Sequence, residues 1–146
     1  MLRFIKILFL VVIFNQSTFA QEKNEDSNRP VQKYSIENFV NQFTFDKAIK
    51  TSVGYQYWFL DKDFLDGRTL KMSVVAPHQS THPPHKHVED EIFFILEGTA
   101  KFYLDGETFT AVANTSFYCP SNVMHGISNV GDVELKYLVI KKYKKD

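Results

Sequence analysis

The chain has 146 residues, of which 44% are hydrophobic and 15% aromatic, and its 17 basic residues equal its 17 acidic ones. This length predicts one domain with one hydrophobic core, and the composition is not that of a disordered protein or a coiled coil. A net charge of zero argues against a nucleic-acid-binding surface, which would carry an excess of basic residues.

The N-terminal segment up to Ala20 has the layout of a secretory signal peptide. Arg3 and Lys6 precede an unbroken apolar run over residues 7–14, and Thr18 and Ala20 stand at the −3 and −1 positions of a possible cleavage site. That run is far shorter than the ~20 residues that span a bilayer, so cleavage is favoured over a membrane anchor. We expect an exported protein, periplasmic or extracellular. Its mature form would keep 15 basic against 17 acidic residues, a net charge of −2.

Residues 21–30 are polar and charged, which predicts a flexible lead-in. A single domain is expected over residues 31–146. Its beginning is ambiguous, because Ser35 could cap a short helix through Val40 or residues 31–52 could be extended.

From residue 55 onward, β-prone runs alternate with turn signals. Turns are predicted at residues 61–63, at Asp66-Gly67 and at Asp105-Gly106, and a loop at residues 78–84, where two prolines lack the backbone donor of a strand. The predicted strands are residues 55–60, 70–75, 91–96, 100–104, 115–119, 126–128 and 133–143. Short, closely spaced strands without a helical period indicate an all-β antiparallel sandwich or barrel.

Alternation along two of these strands suggests which face each side chain occupies. Over residues 70–75, the set Leu70, Met72 and Val74 reads as the buried face of a half-buried strand. Over residues 91–96 both faces are apolar apart from Glu91, which indicates a strand covered twice. The second cover would be a partner sheet or a second subunit, so a homodimer is expected.

Two features near the C-terminus have simple readings. Cys119 lies in an apolar run and is interpreted as a small buried hydrophobe, since a single cysteine cannot form an intrachain disulfide. The lysines at positions 141, 142, 144 and 145 are interpreted as a solvated tail.

Four of the five histidines fall within ten residues, at positions 78, 82, 85 and 87. His85 and His87 are two apart and share a face of an extended chain, and Glu91 joins that face if the strand continues. Two imidazoles and a carboxylate on one face are typical of sites for transition metals. The alternative is a histidine-rich surface loop beside a buried acid, but a buried carboxylate without a partner is costly.

Two motifs extend this pattern. Residues 85–98 read His-x-His-x3-Glu-x6-Gly, and residues 120–129 read Pro-x-Asn-x2-His-x3-Asn. Together they resemble the two signature motifs of the cupin superfamily, over about residues 70–143. The resemblance implies a double-stranded β-helix, or jelly-roll barrel. It also implies a divalent metal ion (Fe, Mn, Zn, Ni or Cu) bound by His85, His87, Glu91 and His125.

The motifs depart from the family pattern at three glycine positions, occupied here by Gln79, Asn114 and Asn122. Asn tolerates the left-handed backbone conformation, so the two asparagines are expected to keep their turns, whereas Gln79 predicts an altered loop before His85.

The resemblance implies a metal-dependent enzyme acting on a small carbohydrate- or carboxylate-type substrate, with isomerase, lyase and dioxygenase classes all open. A module that binds or senses a small ligand without turnover, and a barrel with a purely structural metal, remain alternatives because a fold does not dictate function. No catalytic residue is identified, and His78 and His82 are interpreted as surface residues that alternatively line the mouth of the site. Phe93, Ile95 and Phe102 are expected to line a dry pocket for one small molecule.

Overall fold

A computed structural model describes residues 36–144. The predicted signal peptide over residues 1–20, the lead-in over residues 21–30 and the capping role of Ser35 lie outside the described residues. Within residues 36–144, no helix is both long and apolar enough to cross a membrane.

Antiparallel strands make up most of the described chain. A short helix (Ile36–Phe39) and a 3₁₀ turn (Phe45–Lys47) precede them. The strands are β1 (Ile49–Thr51), β2 (Gly54–Leu65), β3 (Arg68–Val75), β4 (Glu91–Glu97), β5 (Thr99–Leu104), β6 (Glu107–Val112), β7 (Ser116–Cys119), β8 (His125–Asn129) and β9 (Leu135–Lys142). They form a six-stranded sheet in the order β1-β2-β3-β9-β4-β7 and a three-stranded sheet in the order β6-β5-β8. This architecture confirms the predicted antiparallel jelly-roll barrel.

The main core lies between the two sheets. Ile95 on β4 and Leu135 on β9 are fully buried there, and Ala100 and Phe102 on β5 face them from the smaller sheet. The inward face of β4 is therefore the predicted one, since Phe93 and Ile95 are buried while Ile92 is 39% exposed.

At four predicted turns, the residues adopt the positive φ that the sequence indicated. Asp66-Gly67 joins β2 to β3 and Asp105-Gly106 joins β5 to β6, and all four residues have positive φ, as tight hairpins require. Asn114 and Asn122 also have positive φ, at 66° and 60°. Asparagine thus supplies the left-handed conformation at these two turns. Before the loop that carries His85 and His87, the residue with positive φ is His78, next to Gln79.

The predicted turn over residues 61–63 is wrong, because β2 runs through it to Leu65. The pairing with β3 shifts register between Trp58 and Leu60 and again between Leu60 and Leu65. Bulges of this kind absorb extra residues without ending a strand, so the polar triplet bends β2 rather than terminating it.

On β3, Met72 and Val74 are buried as predicted, but the opposite face is covered too, so the strand is not half-buried. Val75 packs in the main core, and Lys71 and Ser73 line a cavity on the inner side of the same sheet. Met72 and Val74 point outward into a second apolar cluster. That cluster is covered by residues from the N-terminal part of the domain and from neighbouring strands, namely Phe43, Ala48, Tyr55, Phe59, Leu96 and Leu138. These residues bury the apolar face of β3 on the outer side of the sheet. The inner face of β3 can therefore carry polar side chains.

Cys119 at the end of β7 is fully buried and belongs to the main core. Burial raises the pKa of its thiol far above the usual range, and the nearby Glu91 raises it further. These features are those of an inert packing residue, as the sequence indicated.

Candidate metal centre

Three separate chain segments bring the four predicted ligands together. His85 and His87 lie in the loop before β4, Glu91 is the first residue of β4, and His125 is the first residue of β8. His85 and His125 exchange two backbone hydrogen bonds, each of 2.9 Å. Gly126 permits this close approach, since a Cβ there would lie 3.3 Å from Cα of Pro84.

The four side chains converge on one point. One nitrogen or carboxylate oxygen from each of His85, His87, Glu91 and His125 lies within 4.8 Å of the others. The imidazole of His125 packs against both neighbouring rings, with centroids 5.1 Å from His85 and 4.8 Å from His87. The sequence predicted a shared face for His85, His87 and Glu91 from an extended strand, and the family resemblance added His125. The structure instead holds His85 and His87 in a loop, in which a β-bridge joins His85 to His125.

Backbone carbonyl oxygens fix the orientation of each imidazole. The Nδ1 of His125 lies 2.8 Å from the carbonyl oxygen of Val123, and that of His87 lies 2.6 Å from the carbonyl oxygen of Glu89. The Nδ1 of His85 makes a longer contact of 3.3 Å with the carbonyl oxygen of Pro83. A carbonyl can only accept, so each Nδ1 carries the proton and each Nε2 is left with a free lone pair.

These lone pairs face the carboxylate of Glu91. Its Oε1 lies 3.0 Å from Nε2 of His125 and 3.6 Å from Nε2 of His87. Among the described side chains, Nε2 of His87 is the buried polar atom without a hydrogen-bond partner. Two acceptors facing each other repel unless a proton or a metal ion lies between them. The donor set therefore fits a divalent cation, which would use the orphaned nitrogen and balance the charge of Glu91.

A cavity of about 350 Å³ opens onto this cluster. Phe93 contributes to its wall as predicted, but Ile95 and Phe102 lie in the solid core instead. Much of the wall is polar: Thr69, Lys71 and Ser73 come from β3, and Tyr137 and Lys141 from β9. The expected dry pocket is thus a partly polar one, because the inner face of β3 carries hydrophilic side chains.

No sequence motif marks Lys71 or Tyr137. Tyr137 is 3% exposed, and its hydroxyl forms hydrogen bonds with Thr81 and Ser73. Burial raises the pKa of Tyr137. The sequence feature that could have identified Lys71 is the alternation on β3, in which every second residue from Thr69 to Ser73 is hydrophilic.

Lys141 is less solvated than predicted. It lies within β9 with a side chain only 10% exposed, and its Nζ is 3.6 Å from Glu89. The side chain of Glu89 is 16% exposed and also approaches Nδ1 of His87 at 3.8 Å. The loop before β4 folds back over β9 and buries both charges as a pair. Lys142 agrees better with the predicted solvated tail, being half-exposed and paired with Asp66.

The two remaining histidines lie in different parts of the structure. His82 lines the cavity, with its ring centroid 4.9 Å from that of His85. Burial, and then the neighbouring His85, lowers the pKa of His82. His78 lies away from the cluster on the surface, 3.0 Å from Asp132.

Comparison with known proteins agrees with this architecture. The family model for the cupin domain matches residues 71–141, the segment that contains all four converging side chains. An uncharacterized protein of Methanocaldococcus jannaschii is 42% identical over 66 residues, which cover 44% of this chain and 53% of that protein. Auxin-binding protein 1 of Arabidopsis thaliana is 33% identical over 79 residues, covering 47% of this chain and 39% of that protein. This chain thus matches about half or less of these curated relatives.

Solved structures share the barrel. A predicted oxalate decarboxylase from Thermotoga maritima is 26% identical with a TM-score of 0.57, over 60% of this chain and 78% of that one. A cupin 2 conserved barrel domain protein from Salinispora arenicola is 19% identical with a TM-score of 0.59, over 71% and 87% of the two chains. The family-model match and the shared barrel identify residues 71–141 as a cupin domain.

Proposed function

We propose that this cupin binds one divalent metal ion through His85, His87, Glu91 and His125. The observation that carries the proposal is the buried Nε2 of His87, which has no partner and lies beside a buried carboxylate. Bound there, the ion would supply a Lewis acid able to polarise a carbonyl or carboxylate group. The identity of the ion is left to measurement, since three imidazoles and a carboxylate accept several transition metals.

The chain prepares the site for the ion before it binds. Carbonyl oxygens of residues 83, 89 and 123 hold the three imidazoles with Nε2 pointing inward. The ring of Phe93 lies 6.5 Å from that of His125 and shields the inner side of the cluster from water. Little reorganisation is then needed on binding, which favours affinity.

We propose further that the protein is a metal-dependent enzyme acting on a small carbohydrate- or carboxylate-type molecule. The support is the cavity, which reaches His85, His87 and Glu91 and so gives a small molecule access to the ion. One similar structure is a predicted oxalate decarboxylase, and its name states a carboxylate substrate. A binding module without turnover and a structural metal are the competing outcomes of the experiment below.

Metal addition should stabilise the metal-free protein. At a free ion concentration 100 times the dissociation constant, the free energy of unfolding should rise by about 2.7 kcal/mol, or roughly 10 °C in melting temperature. Elemental analysis of protein purified from its native compartment identifies the ion, and melting curves before and after chelation measure its effect. No shift with any of the five candidate metals would overturn the metal site.

Turnover separates the three functional outcomes. Protein loaded with the identified ion is incubated with uronates, keto acids and phenolics. Product formation that stops on chelation supports an enzyme, saturable binding without product supports a binding module, and stabilisation without any ligand effect supports a structural metal.

We also propose that the protein is exported. The support is the sequence before residue 21, in which basic residues, an apolar run and a small residue at position 20 follow one another. The intact mass of protein isolated from the producing cell should correspond to a chain beginning at Gln21. An uncleaved N-terminus on protein retained in the cytoplasm would contradict this.

A further inference from the structure

A lysine without a carboxylate partner lies in the cavity that opens onto the metal centre. Lys71 on β3 is half-buried, and no ion pair joins its ammonium group to a carboxylate within residues 36–144. Its Nζ lies 5.2 Å from the ring centroid of Trp58, which also lines the cavity. Even partial burial of an ammonium without a counter-ion is unfavourable, so its presence in a cavity needs an explanation.

The neighbouring charges do not balance Lys71. Lys141 has its own partner in Glu89. Among the described residues that line the cavity, Glu91 is the sole acid, and it belongs to the ligand set. A divalent ion at the centre would take up the charge of Glu91 and leave the cavity with an excess of positive charge.

The protonation equilibrium of Lys71 reflects the same surroundings. Burial lowers its pKa, the carboxylate of Glu91 opposes that shift, and Lys141 adds to it. A bound anion in contact with the ammonium group of Lys71 would offset the free-energy cost of its burial, as a carboxylate of the protein would.

We propose that Lys71 binds the anionic group of the ligand and that this ligand is a small organic carboxylate lying between Lys71 and the metal centre. The inference rests on the proposed function, because the metal takes up the charge of Glu91. Trp58, Phe93 and Tyr143 add apolar wall area, which suits a flat hydrocarbon part. The cavity of about 350 Å³ is of the size that holds one small molecule.

Benzoate and its neutral isostere benzamide are the probes. Calorimetric titration of the metal-loaded protein should show saturable benzoate binding, with benzamide weaker by about 10- to 100-fold, the range expected when a charge-assisted contact is lost. Lys71→Met keeps the length and apolar stem of the side chain and should weaken benzoate binding by a similar factor. Lys50→Met, an exposed lysine on β1 outside the cavity, is the matched control and should bind benzoate normally.

The stability of the ligand-free protein separates ligand binding from a structural role. Because Lys71→Met removes a buried charge without a partner, the variant should melt at the same temperature as the native protein or higher. A lysine kept only to pack on Trp58 would give the opposite pattern, a lower melting temperature with benzoate binding intact. That pattern would overturn the inference.

The measurements also distinguish failure of the anion site from failure of the metal site. Lys71 is not in the ligand set, so Lys71→Met should keep its full metal content by elemental analysis. If the native protein holds no metal yet binds benzoate through Lys71, the metal proposal fails and the anion site stands. Equal affinity for benzoate and benzamide, or benzoate binding unchanged in Lys71→Met, would refute the anion site whatever the metal content.

Discussion

Replacing His125 with alanine should reduce the metal content of the purified protein from one ion per chain to background. His125 is fully buried and contacts Glu91, His85 and His87. Its removal takes away one nitrogen donor, while the two backbone hydrogen bonds between residues 85 and 125 do not depend on the side chain. Elemental analysis after dialysis against metal, together with the melting temperature, measures the effect.

The same change should destabilise the metal-free protein. His125 is fully buried and lies 3.0 Å from Glu91, so its truncation leaves the buried carboxylate without that contact, at a cost of about 1–3 kcal/mol. His125→Gln guards against a variant that fails to fold, since its amide can donate a hydrogen bond to Glu91 while binding metal poorly.

The matched control is His78→Ala. This histidine is on the surface, its side chain is 63% exposed, and its partner is Asp132 rather than a member of the cluster. It should keep both metal content and melting temperature. Full metal content in either His125 variant would remove that residue from the ligand set.

Ile95→Ala should lower the free energy of unfolding by about 2–5 kcal/mol, the cost of deleting a large side chain from a packed core. Ile95 is fully buried between the two sheets, where neighbouring β-strands cannot collapse far enough to fill the space. Chemical denaturation of the metal-free protein measures the loss without contributions from the ion.

Ile92→Ala is the control on the same strand, three residues away and on the opposite face, where Ile92 is 39% exposed. It should cost about 1 kcal/mol or less. An equal loss in both variants at all protein concentrations would contradict the assignment of faces on β4.

The Ile92 variant also tests the proposed homodimer. Ile92 pairs across the six-stranded sheet with Ile140 and Tyr118, and all three side chains are exposed, which leaves apolar area for a second subunit. If two chains associate through this face, Ile92→Ala should weaken the association measured by sedimentation. Sedimentation of the native protein as a monomer would contradict the dimer.

Local sequence determined the turns and the strand that carries Glu91. Asp66-Gly67, Asp105-Gly106, Asn114 and Asn122 adopt positive φ because their own side chains permit it, whatever surrounds them. The spacing of His85, His87 and Glu91 indicated a shared direction, and the resemblance of the two motifs to the cupin pattern added His125; the four side chains meet in the structure.

Tertiary structure alone decided which face of β3 points inward. Alternation along β3 does not say which set of side chains faces the barrel interior. The two sets are Leu70, Met72 and Val74, and Lys71, Ser73 and Val75. The residues that cover Met72 and Val74 include Phe43 and Ala48, which precede β3 by at least twenty positions. Because contact with that distant segment buries the apolar set, the hydrophilic set lines the cavity, and Lys71 lies in the same cavity wall as His85, His87 and Glu91.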